Sequence, residues 1–163
     1  MKKGKVYSLE DNLKRLGFTS LSQYLSTSLF REIRNVVRFH YQHCRAKLCD
    51  NQRPTGVRFL HYSLPTLIGI HPTYLVPFCT KHCLLADTDV NKELFKEEWL
   101  RSNRVLSLLT GLRKVRNDDR ISVWYQQQRS INAQLREHVK IRISKLQVWK
   151  QLEPLWNNFL ETE

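Results

Sequence analysis

Leu75-Val76-Pro77-Phe78-Cys79-Thr80-Lys81-His82-Cys83 is an apolar run that ends on two cysteines and a histidine, and Cys44-Arg45-Ala46-Lys47-Leu48-Cys49 supplies a second cysteine pair. Four residues separate Cys44 from Cys49, a spacing found in zinc-binding loops, and about thirty lie between the pairs. Two such pairs are how a chain builds one tetrahedral site from two turns. Cys44, Cys49 and Cys79 are expected to bind a structural Zn²⁺, with either His82 or Cys83 as the fourth ligand. His40 and His43 flank the first cysteine as further candidates.

Outward from this frame the chain alternates between helical and irregular patterns. Ser8 is placed to cap a first helix that Gly17 stops, and Ser20 to Gln23 has capping-box spacing. Ser28 opens a stronger helix, with Leu29, Phe30, Ile33, Val36, Val37 and His40 on one face. Asn51 to Gly56 is turn chemistry, and Val57, Phe59 and His61 alternate as in a short strand. Pro65, Gly69 and Pro72 keep the next dozen residues from forming a long element. After Cys83 helix returns at 92–100, then with Val105, Leu108, Leu109 and Leu112, until Asn117-Asp118-Asp119 breaks it. Ser130 is placed to cap a final helix with Ile131, Leu135, Val139, Ile143, Leu146 and Trp149 inward, ended by Pro154. The expected fold class is α+β, mostly helical, with a small zinc-stapled ββα core and a helical C-terminal extension. Residues 1–90 are expected to hold the N-terminal helices and core, and 91–163 the basic extension.

Seven Phe, six Tyr and four Trp argue against a disordered chain, while a hydrophobic fraction of 41% gives a modest core that a metal staple would help. No apolar run reaches the ~18–20 residues of a membrane span. The opening is basic and lacks the apolar stretch of a secretory signal. The expectation is therefore a cytoplasmic protein, nucleoid-associated in a bacterial or viral setting, whose clustered thiols hold metal instead of forming disulfides.

The net charge of +12 is unevenly spread: residues 101–150 hold 12 Lys+Arg against 3 Asp+Glu, whereas the last thirteen hold only 3 acids. A block this basic suits a phosphate backbone, whose counterions Lys and Arg displace. Arg113, Lys114, Arg116, Arg136, Lys140, Arg142 and Lys145 are the expected nucleic-acid contacts, to DNA before RNA.

The order of these parts resembles the HNH (ββα-metal) endonuclease family, and more closely its small zinc-stapled members. The resemblance covers roughly residues 20–90: Tyr24-Leu25, Phe30-Arg31-Glu32-Ile33-Arg34, a cysteine pair, a strand with His61, Gly69, and Leu75-Val76-Pro77-Phe78-Cys79. It implies phosphodiester cleavage with one divalent ion, Mg²⁺ or Mn²⁺, and His61 as general base, with Ser63 two residues later. The family keeps Asp or His before the base as an ion ligand, and here that residue is Leu60. The family's Cys-x-x-Cys-His is here Cys79-x-x-His82-Cys83. A second ion would have to be held by His71, Asp87 or Cys83, the last a poor donor to Mg²⁺. No Gly-rich phosphate loop, nucleophile elbow or His-Glu-x-x-His helix competes. Two functions follow: a nucleic-acid-binding regulator or nucleoprotein-complex subunit on a catalytically impaired fold, or an active endonuclease or nickase.

Overall fold

The computed structural model describes residues 8–47, 49–87, 105–109 and 124–162. Helices α1 (Leu9–Arg15), α2 (Leu21–Leu25) and α3 (Ser28–His40) lead into strand β1 (Gly56–Phe59). The short helix α4 (Leu64–Leu67), a 3₁₀ turn (Pro72–Tyr74), strand β2 (Leu75–Phe78) and α5 (Thr80–Asp87) follow. Residues 105–109 and 124–127 are helical, and α6 (Arg129–Ile143) and α7 (Trp149–Thr162) complete the described chain. The fold is thus mostly helical α+β, with one small antiparallel sheet and C-terminal helices. None of the described helices is long and apolar enough to cross a membrane.

Local chemistry sets most of the early boundaries. The Ser8 hydroxyl accepts from the Asp11 amide at the start of α1, and Gly17 takes φ +83° just past its end. Ser20 caps α2 through the Gln23 amide, while the Gln23 side chain reaches back to the Thr19 amide at 2.7 Å, one residue earlier than a capping box requires. Thr27, not Ser28, caps α3, because its hydroxyl accepts from the Phe30 amide while donating to the Tyr24 carbonyl. Leu29, Phe30, Ile33, Val36 and Val37 are buried as their spacing requires, but His40 is exposed, since the backbone turns extended at Tyr41.

The two strands pair from Gly56↔Phe78 to Phe59↔Leu75, and their faces serve different cores. Val57, Phe59 and Leu75 pack with α1, α2, α3, α6 and α7. Val76 and Phe78 face a second cluster with Leu60, Cys44, Cys79, Cys83, Ala86, Val105 and Leu106. The strand expected to reach His61 stops at Phe59: the Leu60 amide bonds the Tyr74 carbonyl at 2.7 Å, and His61 falls beyond it, exposed.

Between the strands, an irregular buried segment is held by side chains from distant helices. Tyr24 Oη donates to the Leu67 carbonyl, Trp156 Nε1 to that of Ile68, and both Asn132 Nδ2 and Arg136 Nε to that of Ile70. Asn132 Oδ1 accepts from the Thr73 amide and hydroxyl. These bonds satisfy carbonyls that no ladder reaches and that water cannot. Gly69 sits among them at φ +97°, where an added Cβ would lie 2.6 Å from Val139 Cγ1. Gly69→Ala is therefore expected to lose at least about 2 kcal/mol, through backbone strain and overpacking together. Gly17→Ala, with nothing within 4 Å of the new methyl, should lose only about 1 kcal/mol. Denaturant midpoints of the two variants test the difference; equal midpoints would contradict it.

The C-terminal region departs from the single helix expected. α6 starts at Arg129 after Gln128, which makes no side-chain cap, so Ser130 lies inside the helix. A turn at 144–148 then separates α6 from α7, and Pro154 is inside α7 instead of ending it. Proline leaves the Lys150 carbonyl without its helical donor. Burial of Leu152 and Trp156, the latter anchored through its indole N–H, holds the helix together across that loss. α6 packs on α3, and Leu135, Val139, Leu152 and Trp156 share a core with Leu13 and Ile33. The helical patterns expected at 92–100 and at Leu112, and the break at 117–119, lie outside the described residues.

Candidate metal centre

Cys44, Cys49, Cys79 and His82 converge, with their ligand atoms all within 4.8 Å of one another. The Cys44 loop is pinned by four backbone bonds: Cys44 N to Gln52 O, Arg45 N to Pro77 O, Lys47 N to Leu108 O and Cys49 N to Ala46 O. Asn51, at φ 64°, turns the chain back toward the sheet. On the other side β2 delivers Cys79 directly into α5, whose first turn carries His82. His82 Nδ1 lies 3.2 Å from Cys79 Sγ and 3.6 Å from Cys44 Sγ, and Cys49 Sγ is 4.0 Å from Cys79 Sγ. All but Cys49 are buried. The result is a compact Cys₃His cluster on a ββα-like frame, a donor set able to hold a metal ion.

The protonation states are those of a metal-donor set. Burial pushes the Cys44 thiol up to about 12. Burial also works against the Cys79 thiolate, but the His82 amide and the neighbouring thiols outweigh it and hold this group below its usual value. Burial, then the Lys81 charge, keeps His82 below the ordinary imidazole range, so the ring is neutral and able to ligate. Three crowded sulfurs and a neutral imidazole are a soft donor set that a bound cation would deprotonate and join.

The other expected site residues lie elsewhere. Cys83 is buried but outside the cluster: its Sγ donates to the Phe78 carbonyl at 3.5 Å and rests 3.3 Å from where a Gly56 Cβ would be. Consecutive helical residues point about 100° apart, which is why His82 and Cys83 cannot share the centre. Asp87 is held by Arg58 in a two-pronged ion pair, Nε to Oδ1 at 3.0 Å and Nη2 to Oδ2 at 2.8 Å. Leu60 is fully buried in the second core. His61 Nδ1 accepts from the Ser63 amide at 3.1 Å, which leaves the proton of its neutral ring on Nε2. Ser63 itself caps α4. His71 Nδ1 is 2.7 Å from Tyr125 Oη, and the rings of His61 and His71 both pack around Tyr74. Among the described residues the Cys₃His group is the sole cluster of three or more metal-donor side chains. His40 and His43 are exposed and outside it.

Of the basic residues, Lys140 and Lys145 are exposed on α6 and the turn after it, and Arg142 sits 3.7 Å from Glu32. Arg136 is half-buried and spends its Nε on the Ile70 carbonyl. Arg113, Lys114 and Arg116 lie outside the described residues. The pairing of Asp87 with Arg58 has no signal in the sequence, whereas the basic and aromatic alternation of Arg38-Phe39-His40-Tyr41 is visible there. No protein-family model matches this chain, and no curated protein or solved structure matches it either.

Proposed function

We propose that this chain is a nucleic-acid-binding protein built on a zinc-stapled, HNH-like ββα fold that has given up hydrolysis. Zinc fits the centre: bonds of about 2.3 Å to sulfur and 2.0 Å to nitrogen imply tetrahedral edges near ~3.8 and ~3.6 Å. The sulfur–sulfur separation of 4.0 Å and the nitrogen–sulfur separations of 3.6 and 3.2 Å lie close to those values, and every pair of donors is within 4.8 Å. The zinc would organise the hairpin and α5 and take no part in chemistry.

The observation that carries the loss of hydrolysis is the fate of the positions where the HNH resemblance expects hard-ion ligands. Leu60 offers carbon and Asp87 is paired with Arg58, while His82 joins the thiols. Binding is supported by the net charge of +12 and by exposed Lys140 and Lys145. The protein would act as a regulator or as a subunit of a nucleoprotein assembly.

The test combines binding and cleavage. Affinity for DNA should fall steeply with salt, and replacing Lys140, Arg142 and Lys145 by alanine should flatten the log–log slope by up to about 2.7, roughly 0.9 for each phosphate no longer neutralised. Arg136 is left out because its loss would also free the Ile70 carbonyl. Supercoiled plasmid should survive with Mg²⁺ or Mn²⁺. Salt-independent binding would remove the reading, and robust cleavage abolished by His61→Ala would make the chain an endonuclease or nickase instead.

A further inference from the structure

We propose that the groove between the end of α3 and the loop after Cys49 binds a single, unpaired strand of nucleic acid, stacking a base on Phe39 and holding phosphates with Arg38 and Arg53. This rests on the nucleic-acid reading above, narrows it to unpaired nucleotides, and adds a binding surface beside the metal centre to the basic residues of α6.

The groove encloses about 850 Å³ and is lined by Arg38, Phe39, Tyr41, His43, Arg53 and Pro54 among others, with no acidic side chain among the described residues. Phe39 is 69% exposed, and the Arg38 guanidinium lies over its ring at 4.9 Å from the centroid. Arg45 covers Tyr41 at 4.7 Å in the same way, but Tyr41 is half-buried against the core, so Phe39 is the ring with an open face. A ring covered by a cation on one face offers the other to a base, and the cation strengthens the stack. An open ring between two guanidinium groups, Arg38 and Arg53, matches a base and its flanking phosphates in a single strand. In a duplex the bases are stacked on one another and cannot reach such a ring. A polyanionic peptide would satisfy the arginines and leave the ring unused.

The walls are already set. His43 Nδ1 is 3.1 Å from the Asn51 carbonyl, the Cys44 amide bonds the Gln52 carbonyl at 2.8 Å, and the Thr55 amide bonds the Phe78 carbonyl at 3.0 Å. Both sides are thereby tied to the sheet and to each other, which lowers the ordering entropy that binding costs.

Fluorescence anisotropy with labelled oligothymidylate, a duplex of equal length and poly-glutamate tests the assignment. Phe39 and Arg53 are exposed, so replacing them should leave the melting curve unchanged. Phe39→Ala should weaken oligothymidylate binding by about tenfold or more, the effect of removing one stacked base. Arg53→Ala should weaken it and lower the salt slope by about 0.7, the single-strand value for one phosphate. Phe39→Trp should keep the affinity, and the introduced indole should be quenched on binding. Unchanged affinity in Phe39→Ala overturns the groove, as does equal binding of duplex or poly-glutamate. If the Lys140, Arg142 and Lys145 variant alone loses binding, the groove falls and the nucleic-acid reading stands. If the unmodified chain binds neither strand form, both fall.

Discussion

Cys79→Ser is expected to release the bound metal and lower the melting temperature by at least about 10 °C. A structural zinc contributes about 10–16 kcal/mol of apparent binding free energy at neutral pH, comparable to the ~5–15 kcal/mol that separates folded from unfolded domains. Weakening the site by only a few kcal/mol shifts the midpoint of a chain this size by 2–4 °C per kcal/mol, roughly. Cys79 also joins β2 to α5, and the cluster shares its core with Leu60, Val76, Phe78, Val105 and Leu106, so its loss loosens that whole half. Metal analysis of the unmodified protein should return about one zinc per chain. Cys83→Ser is the matched control: that thiol is buried one residue from His82 yet outside the cluster, so zinc content should not change. A metal-free protein with the same melting curve, or zinc absent from Cys83→Ser and kept in Cys79→Ser, would refute the assignment.

Leu60→Asp is expected to unfold the protein instead of creating a nuclease. The family resemblance alone argues the reverse, because Asp at that position would restore the ligand beside His61. But Leu60 has no exposure and packs with Cys44, Val76 and Phe78. An ionised carboxylate placed there loses its hydration without gaining a partner, a penalty of several kcal/mol and a large share of the stability. Burial would raise the carboxyl's pKa in the folded state above its unfolded value. The folded variant would then bind more protons than the unfolded chain, so its destabilisation should be greatest at neutral pH and shrink as pH falls toward the unfolded carboxyl value. Leu60→Met, which conserves volume, should lose less than about 1.5 kcal/mol. Circular dichroism melts at two pH values and a plasmid assay decide the matter. A folded Leu60→Asp protein that cuts DNA with Mg²⁺ would overturn the packing argument, whereas cleavage by the unmodified chain would overturn the proposed loss of hydrolysis.

These two substitutions divide what is local from what is not. Caps and turns were legible because they depend on neighbours: Ser8 and Ser20 bond amides three residues on, and Gly17 takes a positive φ that its type allows. The zinc-type pairs were legible for a related reason, since short spacings bring thiols to one turn whatever surrounds them. The period of α3 identified the face that became the core.

What sequence left open was settled by direction in space. His82 and Cys83 are adjacent in the chain, but the helical turn from β2 sends one to the thiols and the other toward Gly56. Asp87 reads as a free hard ligand until Arg58, twenty-nine residues away, is found on the facing strand. His61 reads as a strand residue until the Leu60 amide closes on Tyr74 and ends the ladder before it. Pro154 reads as a helix stop, yet the bond from Trp156 to Ile68, eighty-eight residues away, carries α7 through it. Each of these turns on a partner brought close only by folding. Local spacing thus marked out the candidate metal donors as a group, while the packing of two cores against opposite faces of one sheet decided which side chains were left to bind anything else.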